Sequence, residues 1–252
     1  MIGGFMLIES ADLDFIRTQF REVEGWCLDD AAYLTCCLLN CQAAEGLSSS
    51  LLEIGVYKGK YLSVLFQKAR RKSQPLVGID TFQWSNQDEV LQTFTRLLGS
   101  TDGLRLVTAS SLDFTVESLL DLLGGRKPSF ISVDGDHSAG AVRSDLYLVQ
   151  DVLGEGGVIA LDDFLNPRAI GVSEGAYRYF LASDNLPLRP FAFCANKLFI
   201  ADRKYHELYR RAIATLVSEM PELPMVKEFL RMQKMGQGYV EQELLGSKVL
   251  IF

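Results

Sequence analysis

Apolar positions recur along the chain with two alternating periods. Leu13, Ile16 and Phe20 share one helical face behind a capping Ser10. A second helix, AAYLTCCLLNCQAAEG, can be capped by Asp29 or Asp30 and stops at Gly46. The period then shortens. LLEIG (51–55) is an apolar run closed by glycine, followed by a helix with Leu62, Leu65 and Phe66 on one side. PLVGID (75–80), LRLVTAS (104–110), FISVDGD (130–136) and VIALDDF (158–164) read as further strands. Helical patterns at 87–98 and 115–123, and one capped by Ser138 with Val142, Leu146, Val149 and Leu153, separate them. Strands alternating with helices predict parallel βαβ units covered on both faces. Beyond 164 the pattern loosens into a helix at 171–183 and a hairpin at 189–201 turning on Ala195-Asn196. A stripe of Tyr205, Leu208, Tyr209, Ala212, Ile213, Leu216, Val217 and Met220 follows, read as core or interface packing. The final YVEQELLGSKVLIF receives no assignment.

Composition narrows the function classes. In 252 residues, 25 Lys+Arg stand against 32 Asp+Glu, a net charge of −7, with 48% hydrophobic residues. That balance excludes a largely disordered chain and argues against a nucleic-acid binder, which needs a basic face. No apolar run reaches a membrane span, and MIGGFMLIES lacks a basic region, so neither a membrane partner nor a secretory leader is expected. Five cysteines, Cys27, Cys36, Cys37, Cys41 and Cys194, form no metal-binding spacing and read as buried apolar side chains in a reducing, cytoplasmic setting. Lys68, Arg70, Arg71 and Lys72 read as a solvated helix end.

The candidate chemistry lies at strand ends, where open α/β sheets bind ligands. Glu53-x-Gly55-x-x-x-Gly59 offers a sharp turn at Gly55 and close approach to a ligand and the next helix at Gly59; it also fits a purely structural turn. Tyr57 stands where a dinucleotide fingerprint needs glycine, which speaks against a nicotinamide-dependent oxidoreductase. Asp80 can accept both hydroxyls of a ribose. Phe82 or Trp84 can stack on an adenine or pack under the loop. Asp134 and the Asp162-Asp163 pair end the fourth and fifth strands. If those strands are parallel neighbours, their ends lie about 5 Å apart, and three carboxylates there repel unless protonated or neutralised by a cation. Oxygen ligands suit Mg²⁺, although Asp163 can also solvate a loop and Asp134 can contact a cofactor alone. Asp136 or His137 can take a proton from a substrate hydroxyl, and His137 can equally orient the next helix. His206 reads as solvated.

The segments EIGVYKGKYLSVL, VGIDTF, TASS, VDGDHSAGAVRSDLYLVQDVL and GEGGVIALDDF together resemble the class I S-adenosylmethionine-dependent methyltransferases. Within them they resemble the branch with a DGDH motif and a double aspartate, which holds metal-dependent O-methyltransferases of antibiotic sugars and is distantly similar to catechol O-methyltransferase. The resemblance is close over 51–164, looser to about 203, and absent from the ends. It implies a Rossmann-like, seven-stranded, mostly parallel sheet with an antiparallel last strand and helices on both faces. It implies cofactor contacts from Glu53, Gly55, Tyr57 and Gly59 around the methionine part, Asp80 on the ribose, Phe82, Ser110 and Ser111 near the adenine, and Asp134 between cofactor and metal. It places Mg²⁺ on Asp134, Asp162 and Asp163. Ser110 stands where many relatives carry Asp, and Tyr61 replaces a small hydroxyl residue.

The expected organisation is a single domain over 1–252: a helical cap (1–46), a cofactor-binding core (50–203) and a helical extension (204–252). The expected activity is Mg²⁺-assisted methyl transfer from S-adenosylmethionine to a small-molecule hydroxyl, with Asp136 or His137 as proton acceptor. A metal-independent N- or O-methyltransferase and a non-catalytic cofactor-binding protein are the alternatives. Acceptor choice is expected from 1–46, 83–90, 165–180 and 204–252. The N-terminal helices and the 205–220 stripe offer apolar surface for a homodimer.

Overall fold

The computed structural model describes residues 7–252, so the reading of the leader falls largely outside it. The described residues open with three helices: α1 (Ser10–Arg17), α2 (Gln19–Glu22) and α3 (Asp29–Ala44). The alternating segment follows as β1 (Leu51–Ile54), α4 (Lys60–Arg71), β2 (Leu76–Asp80), α5 (Gln87–Leu98), β3 (Leu104–Thr108) and α6 (Val116–Leu122). It continues through β4 (Phe130–Val133), α7 (Ala139–Val152), β5 (Val158–Leu161) and α8 (Ile170–Phe180). A hairpin of β6 (Leu188–Cys194) and β7 (Lys197–Asp202), helices α9 (His206–Glu219) and α10 (Pro224–Met235), and a hairpin of β8 (Glu241–Leu244) and β9 (Ser247–Ile251) complete it.

The strands form one sheet in the order β3-β2-β1-β4-β5-β7-β6-β9-β8. The first five are mutually parallel, and β7 enters antiparallel to β5, with Leu198 opposite Leu161. Among the described residues the sheet has nine strands where seven were expected. The extra pair comes from 241–251, inside the stretch read as helical. Its turn is Leu245-Gly246, both left-handed, and its first strand EQEL has no apolar alternation to announce it.

Successive strand residues point to opposite faces, so each parallel strand feeds two cores. Leu51, Phe130 and Val158 join α1, α3, α4, α5, α9 and α10 on one face. Leu52, Ile131 and Ile159 join α6, α7 and α8 on the other. Tyr209, Ala212, Ile213 and Leu216 of the 205–220 stripe are fully buried, as is nearly all of α3. These residues therefore serve the chain's own core, while Tyr205, Leu208, Val217 and Met220 of the stripe stay partly exposed. Among the described residues, no helix is long and apolar enough to cross a membrane.

The cationic end of α4 is not simply solvated. Lys68, 4% exposed, lies 2.9 Å from Asp12, itself 1% exposed, and Arg71 approaches Asp12 to 2.6 Å. Arg70 donates to the Leu98 carbonyl. These pairs fix α1 against α4. Asp12→Ala should leave a buried ammonium unpaired and cost about 3–5 kcal/mol, read as a fall in the urea midpoint. His206 is also half-buried, its Nε2 3.1 Å from the Arg189 carbonyl and its Nδ1 3.4 Å from the Ser247 hydroxyl, which ties α9 to the last hairpin.

Candidate active site

Strand order reverses between β1 and β4, and a cleft of about 700 Å³ opens there beyond the C-terminal strand ends. Its walls are the β1–α4 loop, the segments after β2 and β3, the DGDH loop after β4, and Asp162 and Asp163 after β5. Gly25, Trp26 and Cys27 from the α2–α3 connection add a further edge.

Gly55 is the crossing point. Its φ is +84°, and a Cβ on it would lie 1.8 Å from the Asp134 carbonyl oxygen. The β1–α4 and β4–α7 loops can touch only because this residue has no side chain. Tyr57, also left-handed at φ +49°, lines the cleft with Trp26 stacked on its ring at 5.1 Å. Gly59 does not reach the cleft. Its left-handed turn starts α4, and a Cβ there would press on Phe94 and Val90 of α5, so its constraint is helix packing.

Asp80 lines the cleft and also builds it. Oδ2 accepts from the Val56 and Tyr57 amides, both at 2.7 Å, and Oδ1 from the Phe82 amide at 2.6 Å. The carboxylate thus holds the first loop to the end of β2, a role not visible in the sequence. Phe82 turns at φ +51° and packs against the core away from the cleft; Trp84 is the aromatic that lines it. Of the two readings for Phe82, packing under the loop is the one observed. Ser110 and Ser111 both line the cleft, and Ser110 Oγ also accepts from the Leu112 amide.

The acid cluster sits at the base. Glu53 is 1% exposed, its Oε2 has no partner, and burial, reinforced by Asp134 and Asp162, pushes its pKa well up against the opposing Lys197. Burial and the neighbouring Asp162 raise Asp134 to about 7. His137 Nε2 lies 3.5 Å from Asp134 Oδ1 and 3.4 Å from Asp163 Oδ2, and Asp134 holds the imidazole above its usual pKa. Asp163 is left-handed at φ +55°, and its Oδ1 accepts from Asn166 Nδ2.

Two site expectations change. Asp134, His137 and Asp163 bring ligand atoms within 4.8 Å of one another, and Asp162 is not in that set. Asp162 Oδ2 lies 2.5 Å from Lys197 Nζ, and Oδ1 accepts from the Asp163 amide at 2.9 Å. Both lie in the turn after β5 and line the cleft, but the left-handed backbone at Asp163 re-aims the chain there, so the double aspartate divides between partners. Asp136 has different partners: the Ser138 hydroxyl lowers its pKa, helped by the Ser138 amide at the start of α7, which donates to Oδ1 at 2.7 Å. Both residues line the cleft, and His137 is the one that faces Asp134 and Asp163.

Lys197, Trp26 and Cys27 were missed. Lys197 was legible as an anomaly, a cation opening the otherwise apolar KLFIA strand. Cys27 lies on the cleft with its thiol pushed up to about 12 by burial. Cys36, Cys37, Cys41 and Cys194 are buried as read. Tyr61 is buried, its hydroxyl 2.6 Å from that of Thr35.

Residues 52–164 match a family described as a methyltransferase domain. A curated protein, the uncharacterized protein R132 of Acanthamoeba polyphaga mimivirus, is 30% identical over 120 residues, 46% of this chain; the chain spans about half, 52%, of that relative's length. Among solved structures, the O-methyltransferase NovP superposes with a TM-score of 0.56 at 13% identity, over 70% of this chain and 81% of its own. The Podospora anserina methyltransferase PaMTH1, bound to S-adenosylhomocysteine (SAH), gives 0.51 at 15% identity, over 78% and 89%. MycE from the mycinamycin biosynthetic pathway, in complex with Mg and SAH, gives 0.51 at 16%, over 76% and 54%. At these identities the structural likeness establishes a shared fold.

Proposed function

We propose that the chain, whose residues 52–164 match a methyltransferase domain, transfers a methyl group from S-adenosylmethionine to a hydroxyl of a small molecule with the help of a divalent ion, Mg²⁺ first among candidates. The observation that carries this reading is His137 Nε2, held 3.4–3.5 Å from two carboxylates at the floor of the cleft. The donors suit a hard cation: Asp134 and Asp163 converge, and Glu53 Oε2 stands unpartnered beside them. The Mg and SAH in the MycE complex support the same reading.

S-adenosylmethionine supplies an activated methyl group and the metal ion a Lewis acid that lowers the pKa of the acceptor hydroxyl. The chain's own residues do the positioning. Gly55, Val56 and Tyr57 shape the methionine end, with Glu53 beneath. Asp80, Trp84, Ser110 and Ser111 hold the nucleoside end. Asp134 and Asp163 would hold the ion, and His137 takes the hydroxyl proton. A small acceptor handled in the cytoplasm, with neither nucleic acid nor membrane as partner, fits the acidic cleft.

A metal-free transfer is the second reading. Lys197 and His137 already face the acid cluster with cationic groups. Incubation with S-adenosylmethionine and a panel of phenolic and sugar hydroxyl acceptors, with and without EDTA, decides between them. Methylated product lost on chelation and restored by Mg²⁺ supports the first. Product unaffected by EDTA favours the second. SAH that fails to bind in calorimetry removes both.

A further inference from the structure

Asp162 follows β5 directly, beside the residues that would hold the ion, yet both its oxygens are engaged. One accepts from the backbone of Asp163, and the other lies 2.5 Å from the Lys197 ammonium. Lys197 is 1% exposed and does not line the cleft, so it touches neither cofactor nor acceptor. Its place is fixed from three sides. Asn196, in the left-handed turn just before it, accepts from the Phe164 amide at 3.0 Å. Leu198, just after it, pairs with Leu161. The ammonium itself lies 4.1 Å from the centroid of the Tyr61 ring, whose hydroxyl is held by Thr35. The hairpin therefore delivers a buried cation to the back of the double aspartate.

We propose that Lys197 is a positioning residue that withholds Asp162 from the metal, so that the ion rests on Asp134 and Asp163 and keeps a side open for the acceptor. This rests on the metal-assisted reading above. It makes a prediction that a merely structural lysine does not. Removing the ammonium frees a carboxylate next to the ion, so affinity for metal should rise while turnover falls. A residue needed only for packing would lower both.

The test is Mn²⁺ titration calorimetry with SAH saturating, alongside kcat on an accepted substrate, for the parent, Lys197→Met, Asp162→Asn and the double variant. Lys197→Met should bind Mn²⁺ about tenfold more tightly, because ligand charge tunes affinity. Its kcat should fall on the order of 10²-fold as the ion shifts. In the double variant the amide oxygen at 162 can still accept from the Asp163 amide, and no charge is left over. Affinity should then return to within about threefold of the parent and kcat should largely recover, the coupling expected of two residues acting as a pair. Replacing both partners of a buried ion pair is tolerated better than replacing one, so the double variant remains informative if Lys197→Met does not fold. Asp162→Asn alone should leave Mn²⁺ affinity within about threefold, as expected of a residue that is not a ligand.

Equal or weaker binding by Lys197→Met overturns the proposal, as does a tenfold loss of Mn²⁺ in Asp162→Asn. A parent that binds SAH but no Mn²⁺ overturns the metal reading itself and this proposal with it.

Discussion

Gly55→Ala is expected to abolish SAH binding, with an affinity loss beyond about 100-fold, and to lower stability by more than the 1–3 kcal/mol usual for overpacking. The added carbon would meet the Asp134 carbonyl oxygen at 1.8 Å, its carbon at 2.3 Å and the Gly135 nitrogen at 2.8 Å. All three are backbone atoms, so no side chain can swing aside. Relief requires the two loops to part, and the Asp134 amide is bonded to the Ile54 carbonyl at 2.7 Å directly beneath. A control separates crowding from backbone preference. Gly46 is also left-handed, at φ +70°, with nothing within 4 Å of the place a Cβ would take, so Gly46→Ala should cost only about 1 kcal/mol and leave binding intact. Calorimetry and thermal melts on the two variants give the comparison. Gly55→Ala binding SAH within threefold of the parent would refute the placement of the cofactor loop.

If Asp163 holds the proposed ion, Asp163→Asn should cut methyl transfer by about 10³-fold or more, the several kcal/mol of charge stabilisation such an ion would supply. SAH affinity should stay within a few-fold. Asparagine is the informative replacement because Asp163 sits at φ +55°, a region asparagine tolerates and alanine does not, and an amide oxygen can still accept from Asn166. Asp134→Asn should damage both measurements, since Asp134 lies in the cleft wall against Gly55. Turnover and SAH binding measured on each variant test the division. Equal retention of activity by Asp163→Asn would leave the metal-free reading standing. If His137 is the base, activity should rise with pH through a midpoint above the usual imidazole value, because Asp134 favours the protonated ring. If Asp136 were the base, the limb would lie below the usual carboxylate range.

The alternating half of the chain was legible because local pattern and final fold agree. Strands buried on both faces are continuous apolar runs, and their polar ends collect at one edge of the sheet. What escaped depends on direction and distance. Phe82 and Trp84 are two residues apart, yet the left-handed backbone at Phe82 sends one into the core and leaves the other on the cleft. Asp162 and Asp163 are adjacent and face different partners. Lys68 finds Asp12 across 56 residues of sequence, and no periodicity within α4 carries that information. Lys197 reaches Asp162 only because β7 lies antiparallel beside β5.

The chain contains two tryptophans, and both stand at the mouth of the cleft: Trp26, 88% exposed and stacked on Tyr57, and Trp84, 80% exposed after β2. Neither is buried in a core. Indole emission from this protein is therefore almost wholly a signal from the rim, with no constant background from the interior. Trp26 stands over the β1–α4 loop and Trp84 lines the cleft with Asp80 after β2, so replacing one with phenylalanine leaves a reporter for the other end of the same cleft. The protein carries its own optical probe of occupancy, divided between the two halves of the ligand it would hold.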